Sequence, residues 1–94
     1  MNKGQRVGAI FSAKDSVVQF LGYGEYVGDK IPPANIGGFN LGLPNPKIRL
    51  DNGEIVWGCE CWWGPEEKIR KSLELYDNIV TISIEEERQQ DEQI

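Results

Sequence analysis

NPKIRLDNGEIVWGCECWWGPEEKIRKSLE, residues 45–74, is the stretch whose reading decides the fold; it holds both cysteines and all three tryptophans of the chain. Asn52-Gly53 at its centre is a strong hairpin signal, because both middle residues of a type I′ turn need positive φ. A two-residue turn there pairs Asp51 with Glu54, Leu50 with Ile55, Arg49 with Val56, Ile48 with Trp57 and Lys47 with Gly58. Side chains alternate between faces along a strand. One face then carries Ile48, Leu50, Ile55, Trp57, Cys59, Cys61 and Trp63, and the other Lys47, Arg49, Val56, Gly58, Glu60 and Trp62. A slip of one residue would mix the two sets, so burial of the first is expected to hold the register.

The chain runs directly from this hairpin into a helix expected over 65–76. Gly64 suits the N-cap, Pro65 the first helical position, and Glu66 and Glu67 the positive end of the helix dipole. Ile69, Leu73 and Tyr76 form one apolar stripe, and Glu66–Arg70 and Glu67–Lys71 are spaced as i,i+4 pairs. Upstream, residues 5–12 alternate as a strand with Val7, Ala9 and Phe11 inward, and Ala13 to Ser16 make a turn. A second strand follows over 16–27, bent at Gly22, Gly24 and Gly28. Gly28 to Pro46 is dense in glycine and proline yet carries Ile31, Ile36, Phe39, Leu41 and Leu43, which suits a packed loop that acts as a lid or as a cover over one end of the sheet. After the helix, 79–85 alternates with Val80, Ile82 and Ile84 inward.

Strands are thus expected near 5–12, 16–27, 46–51, 54–63 and 79–85. The order β-β-loop-β-β-α-β defines a single α+β domain over 1–84, a small, strongly bent antiparallel sheet or SH3-like barrel with one helix. Residues 85–94 read as an acidic, disordered tail.

Charge separates the two parts. The chain is 94 residues long with a net charge of −5, and five acids against one arginine put −4 of that on the tail. A nearly neutral body cannot accumulate the lysine and arginine that non-specific nucleic-acid binding needs. No stretch has the length or apolarity of a membrane span or a signal peptide, and two closely spaced free thiols suit the cytoplasm.

Most chemical constellations fall short. Cys59-x-Cys61 offers two thiolates without a histidine anywhere in the chain, whereas a zinc site needs four ligands; two buried small hydrophobes explain the pair better. Thiol catalysis lacks its usual base. Gly22 to Gly28 resembles a phosphate loop, but Asp29-Lys30-Ile31-Pro32-Pro33 cannot open the helix such a loop requires. The carboxylates in apolar context, Glu25, Asp29 and Glu60, have no spacing that makes a hydrolytic pair. An enzyme is therefore not expected, nor a metal or cofactor.

The outward hairpin face is the candidate site. Trp62 offers a flat aromatic plate, Gly58 a floor without a side chain, Lys47 and Arg49 two cations and Glu60 an acceptor, which together suit a nucleotide-like ligand or a peptide. Packing of Trp62 under the 28–46 loop or against a second subunit is the alternative. Tyr23 and Tyr26 are expected to line an adjoining surface. Three tryptophans and three tyrosines in so short a chain exceed what one small core hides, so a homo-oligomer is expected.

GQRVGAI, LGYGEYVGD and PNPKIRLDNGEIVWGCECWWGPEEKI resemble small accessory proteins of phages and bacterial genomes, to which no activity is assigned. The resemblance implies a phage or mobile-element protein that counters host defence from the host cytoplasm. Two functions suit it. One is sequestration of a small phosphorylated, nucleotide-like signal by Trp62, Lys47 and Arg49; the other is direct inhibition of a host protein through the acidic tail and the Tyr23/Tyr26 surface.

Overall fold

A computed structural model describes residues 1–34, 36 and 42–92, with 91 and 92 as backbone alone. Its elements are β1 (Arg6–Lys14), β2 (Val17–Lys30), β3 (Asn45–Leu50), β4 (Ile55–Trp57), a 3-10 turn (Gly58–Glu60), β5 (Trp62–Pro65), α1 (Glu66–Leu73), β6 (Asn78–Thr81) and α2 (Ile84–Glu92). Six strands form one sheet in the order β4-β3-β2-β1-β5, and β6 lies parallel to the first half of β2. All other pairings are antiparallel and the sheet does not close on itself, so the fold is α+β as the sequence pattern indicates.

β1 and β2 are dried on both faces. Val7, Ala9, Leu21 and Tyr26 pack inward with Ile48, Leu50, Val56 and Ile84, while Ile10, Val18 and Phe20 pack outward beneath Ile69 and Leu73 of α1. Irregularities in the β1–β2 register between Ala9 and Ser12 redirect the side chains, and this separates the two clusters. Two glycines allow close approaches, Gly8 to α1 and Gly24 to its neighbouring strand β3. A Cβ on Gly8 would lie 2.7 Å from Ile69, and one on Gly24 would lie 2.2 Å from the carbonyl oxygen of Arg49.

The second hairpin differs from the sequence reading by one residue. Lys47 pairs with Trp57, Ile48 with Val56 and Arg49 with Ile55. The loop has three residues, Asp51-Asn52-Gly53, and only Gly53 takes a positive φ, +94°. Its N–H bonds the Leu50 carbonyl at 2.9 Å, and the Leu50 N–H bonds the Glu54 carbonyl at 2.9 Å, which closes a turn with a bulge instead of type I′. Two contacts favour the longer loop. The Arg6 guanidinium grips the Asp51 carboxylate through two bonds of 2.8 and 2.6 Å, and the Asp51 N–H bonds the Tyr23 carbonyl at 2.9 Å. The new register buries Val56 beside Ile48, leaves Ile55 half-buried and exposes Cys59. The expected strand 54–63 is accordingly interrupted by the 3-10 turn.

α1 begins one residue later than expected, with Pro65 rather than Gly64 at its N-cap. Its stripe of Ile69 and Leu73 is buried, each side chain worth about 1.5–3 kcal/mol, which sustains a helix too short to persist alone. Past Leu73, i→i+3 bonds from the N–H groups of Glu74, Leu75 and Tyr76 tighten the chain through Tyr76. Glu66 does pair with Arg70, at 3.7 Å, but Glu67 also bonds Arg70 rather than Lys71.

Two further expectations are corrected at the C-terminal end. Val80 does not point inward: all four β6 residues are exposed, and neither core cluster of the described residues includes them. Ile84 does reach the inner core, but as the first residue of a helix, where the composition of 85–94 reads as a disordered tail. What the composition hides is a set of three anchors. Ser83 caps α2, donating to Glu54 at 2.6 Å while its Oγ accepts the Glu86 N–H at 3.4 Å. The Glu54 carboxylate also accepts the Glu85 N–H at 3.4 Å. Arg88 forks onto Glu60 at 2.8 and 2.6 Å and donates to the Ile55 carbonyl at 2.9 Å. Within the loop, Ile36 is buried, whereas Ile31 and Leu43 are exposed; the Gly37-Gly38 pair, Phe39 and Leu41 lie outside the described residues.

Gly24→Ala is expected to destabilise the domain by roughly 1–3 kcal/mol or more through overpacking against backbone. Gly64→Ala, whose Cβ meets nothing within 4 Å, should stay within about 0.5 kcal/mol of wild type. Urea denaturation of the two variants checks this. Acid should loosen α2 before the sheet. Burial pushes the Glu54 carboxyl up, but bonds from Ser83, Asn52 and the N–H groups of Glu85 and Ile84 outweigh it and hold its pKa below the ordinary value. A depressed carboxyl stabilises above its unfolded pKa, about 4.3, and that contribution disappears as pH falls through the folded value. Hydrogen exchange between about pH 5 and pH 3 should show α2 amides losing protection ahead of those of β1; simultaneous loss would mean that Glu54 is not the weak point.

Candidate binding groove

Trp62 opens β5 opposite Ile10, on the outer face of the sheet that α1 covers. Trp63 opposes Ala9 and turns inward, where it stacks on Tyr26 at 5.8 Å and 9°. The next pair, Gly64 and Gly8, has no side chains; Ile69 fills the space over Gly8, but nothing fills that over Gly64. A groove of about 410 Å³ results between β5 and α1. Its lining is Ile10, Trp62, Trp63, Gly64 and Pro65 from the sheet, and Lys68, Ile69, Ser72, Leu75 and Tyr76 from the helix and the turn after it. Trp62 and Leu75 stand 71% and 82% exposed. Lys68 is the one cation in the lining, and the Ser72 hydroxyl donates to the Lys68 carbonyl at 3.0 Å, which leaves its lone pairs to accept.

The sequence reading assigns Trp62, Lys47, Arg49, Glu60, Tyr23 and Tyr26 to one surface, and the structure does not bring them together. β3, which carries Lys47 and Arg49, is separated from β5 by β2 and β1. The Lys47 ammonium lies 5.7 Å from the centre of the Trp57 ring. Arg49 pairs with Glu25 across the strand. Glu60 is not an open acceptor: its side chain is 6% exposed, held by Arg88, and it also takes the Trp57 N–H at 3.1 Å. Tyr23 and Tyr26 lie on opposite faces. Tyr23 sits under α1, edge-on to Phe20 at 4.9 Å and with the Arg70 guanidinium 5.7 Å from its ring. Tyr26 is buried and donates to Asp29 at 2.5 Å, a bond that raises its pKa.

Of that constellation Trp62 alone lines the groove. Lys68, Ser72, Leu75 and Tyr76 are missed by a reading that treats the helix as a carrier of its buried stripe. The available signal is their spacing: Lys68, Ser72 and Leu75 follow one another at i, i+4 and i+7, a line flanking Ile69 and Leu73. Gly64, read as a cap, instead leaves the hollow.

Neither cysteine is poised for chemistry. Burial and the neighbouring carboxylate of Glu60 push the Cys61 thiol up to about 12, and burial followed by Glu60 also raises Cys59. Both stay protonated near neutrality, so neither is a ready nucleophile. Among the described residues no group of three or more His, Cys, Asp and Glu side chains is placed to hold a metal ion, and no helix is long and apolar enough to cross a membrane.

Comparison of the chain with protein-family models, with curated proteins and with solved structures gives no match in any of the three.

The two tryptophans should separate cleanly on truncation. Trp57 is 5% exposed, and Trp57→Ala is expected to cost about 3–5 kcal/mol. Trp62→Ala should change stability by no more than about 0.5 kcal/mol. Thermal unfolding measures both, and comparable losses would contradict the placement of Trp62 outside the core.

Proposed function

We propose that this chain is a non-enzymatic binding protein that takes a small, flat, phosphorylated ligand of nucleotide type in the groove between β5 and α1. The observation that carries the reading is the exposed indole of Trp62 beside a hollow that Gly64 leaves unfilled. A volume of about 410 Å³ lies in the range of small-molecule sites, roughly 300–1,000 Å³. The base stacks on Trp62 over the apolar walls of Ile69 and Tyr76, Lys68 meets the phosphate, and Ser72 accepts a hydrogen bond. Sequestration of a nucleotide signal in the host cytoplasm, as a phage or mobile element would need against host defence, is the role we give this groove. An SH3-like barrel is the architecture we assign. Sequential strands in the order β4-β3-β2-β1-β5, a 3-10 turn between β4 and β5 and the Tyr26–Trp63 stack support it.

A second reading, capture of a host protein, is favoured by Leu75. An apolar side chain 82% exposed beside an exposed tryptophan is the composition of an interface centre.

A panel of linear and cyclic nucleotides, followed by thermal shift and tryptophan fluorescence, tests the first reading. Binding is expected, with Trp62→Ala weakening it at least about tenfold, in keeping with a stacking contribution of roughly 1–3 kcal/mol. Gly64→Val should block the groove and abolish binding while leaving the melting temperature within a few degrees of wild type. Absence of any shift across the panel, with a host-protein complex that Leu75→Ala disrupts, would transfer the function to the second reading.

A further inference from the structure

β6 is an edge protected by little beyond its shortness, four residues. Natural edge strands are also guarded by a lysine, a proline, a bulge or an inward charge against pairing with other chains, and Asn78-Ile79-Val80-Thr81 has none of these. Ile79 and Val80 are 50% and 47% exposed on opposite faces, Ile79 on the side of its partner Val18 and Val80 on the side of Gln19. The backbone is free in the same direction. Asn78 N–H bonds the Ser16 carbonyl at 3.0 Å and Ile82 N–H the Phe20 carbonyl at 2.9 Å, so by the alternation of a parallel ladder the even residues bond inward to β2. The N–H and C=O groups of Ile79 and Thr81 then point away from the sheet.

We propose that β6 pairs antiparallel with β6 of a second copy across a two-fold axis through Val80, joining the two sheets into one. Parity restricts the register. Only residues with outward groups can form hydrogen-bonded pairs, and setting Ile79 against Thr81 of the second copy gives the longest overlap. Val80 then faces Val80 of the second copy at a non-hydrogen-bonded position, where Cα atoms approach to about 4.5 Å. Ile79 covers the methyl group of Thr81 on the other face. Asp77, the acid flanking the strand, falls opposite Ser83, so the seam opposes no like charges. This self-complementarity is what favours a second copy over an unrelated strand. The surface lies outside the groove lining, so the proposal stands independently of the ligand reading.

The full chain with Cys59→Ser should give, by light scattering at tens of micromolar, twice the 10.6 kDa mass of one chain. Thr81→Pro removes an outward N–H that the monomer does not use, and it should yield a folded monomer. In the same background, Val80→Cys should cross-link efficiently on mild oxidation, since paired Cα atoms about 4.5 Å apart lie within disulfide reach. Ile79→Cys, whose copies sit a register step apart, should cross-link at least about tenfold more slowly. A monomeric parent chain, a dimer that persists in folded Thr81→Pro, or a dimer in which Val80→Cys cross-links no faster than Ile79→Cys would each overturn the proposal. If Thr81→Pro does not fold, the cysteine pair decides alone.

Discussion

A sheet one strand thick has two faces to dry, and in this chain β1 and β2 can be dried only by elements that come late in the sequence. The inner face needs β3, β4 and Ile84; the outer face needs Ile69 and Leu73 of α1. Close packing leaves no room for a side chain where Gly8 lies under Ile69 of α1, and none where Gly24 meets the backbone of its neighbouring strand β3. β2 divides its pairing between the two ends of the chain: its first half borders β6 and its second half borders β3 on one side while β1 runs along the other.

That double coverage also explains how much was legible in the sequence. Alternation in β1 and β2 and the stripe of Ile69 and Leu73 encode burial directly, so strands and helix appear close to where the pattern puts them. The hairpin was legible as a hairpin but not in register. Asn52-Gly53 permits either a two- or a three-residue loop, and the deciding contacts, Arg6 to Asp51 and Asp51 N–H to Tyr23, come from far away in the sequence. Trp57 was correctly read as buried for an incorrect reason. It lies on the Lys47 side of the hairpin, with the lysine ammonium near its ring, and takes no part in the inner core cluster.

The same distinction holds for the site. Exposure of Trp62 is readable from local alternation, because Trp62 and Trp63 fall on opposite faces of β5. Its partners were not, because the cross-strand proximity of Lys47 and Glu60 in the expected hairpin does not survive the 3-10 turn between β4 and β5. Charged residues that looked available are engaged: Arg49 with Glu25, Glu60 with Arg88. A partly buried ion pair such as the latter contributes little net stability but penalises loss of either member, so it favours one docked position for α2 over many loose ones. Composition alone could not find that helix, since Glu85 and Glu86 face water and what holds it, Ile84, Arg88 and the bonds of Ser83 and Glu54, depends on partners far away in the sequence.

The insertion of Ile84 into the inner cluster has a consequence for biosynthesis. A polypeptide emerges N-terminus first, and here β1 and β2 acquire their last apolar neighbour only when Ile84, far downstream of both, has been made. Until then Leu21, Ile48 and Val56 surround an unfilled position, and the outer face waits for α1. The nascent chain therefore cannot complete its interior in stages as a helical bundle can. Its final collapse is a single late event, and the time between making β1 and covering it is the interval in which this small protein is most exposed to aggregation and to proteases.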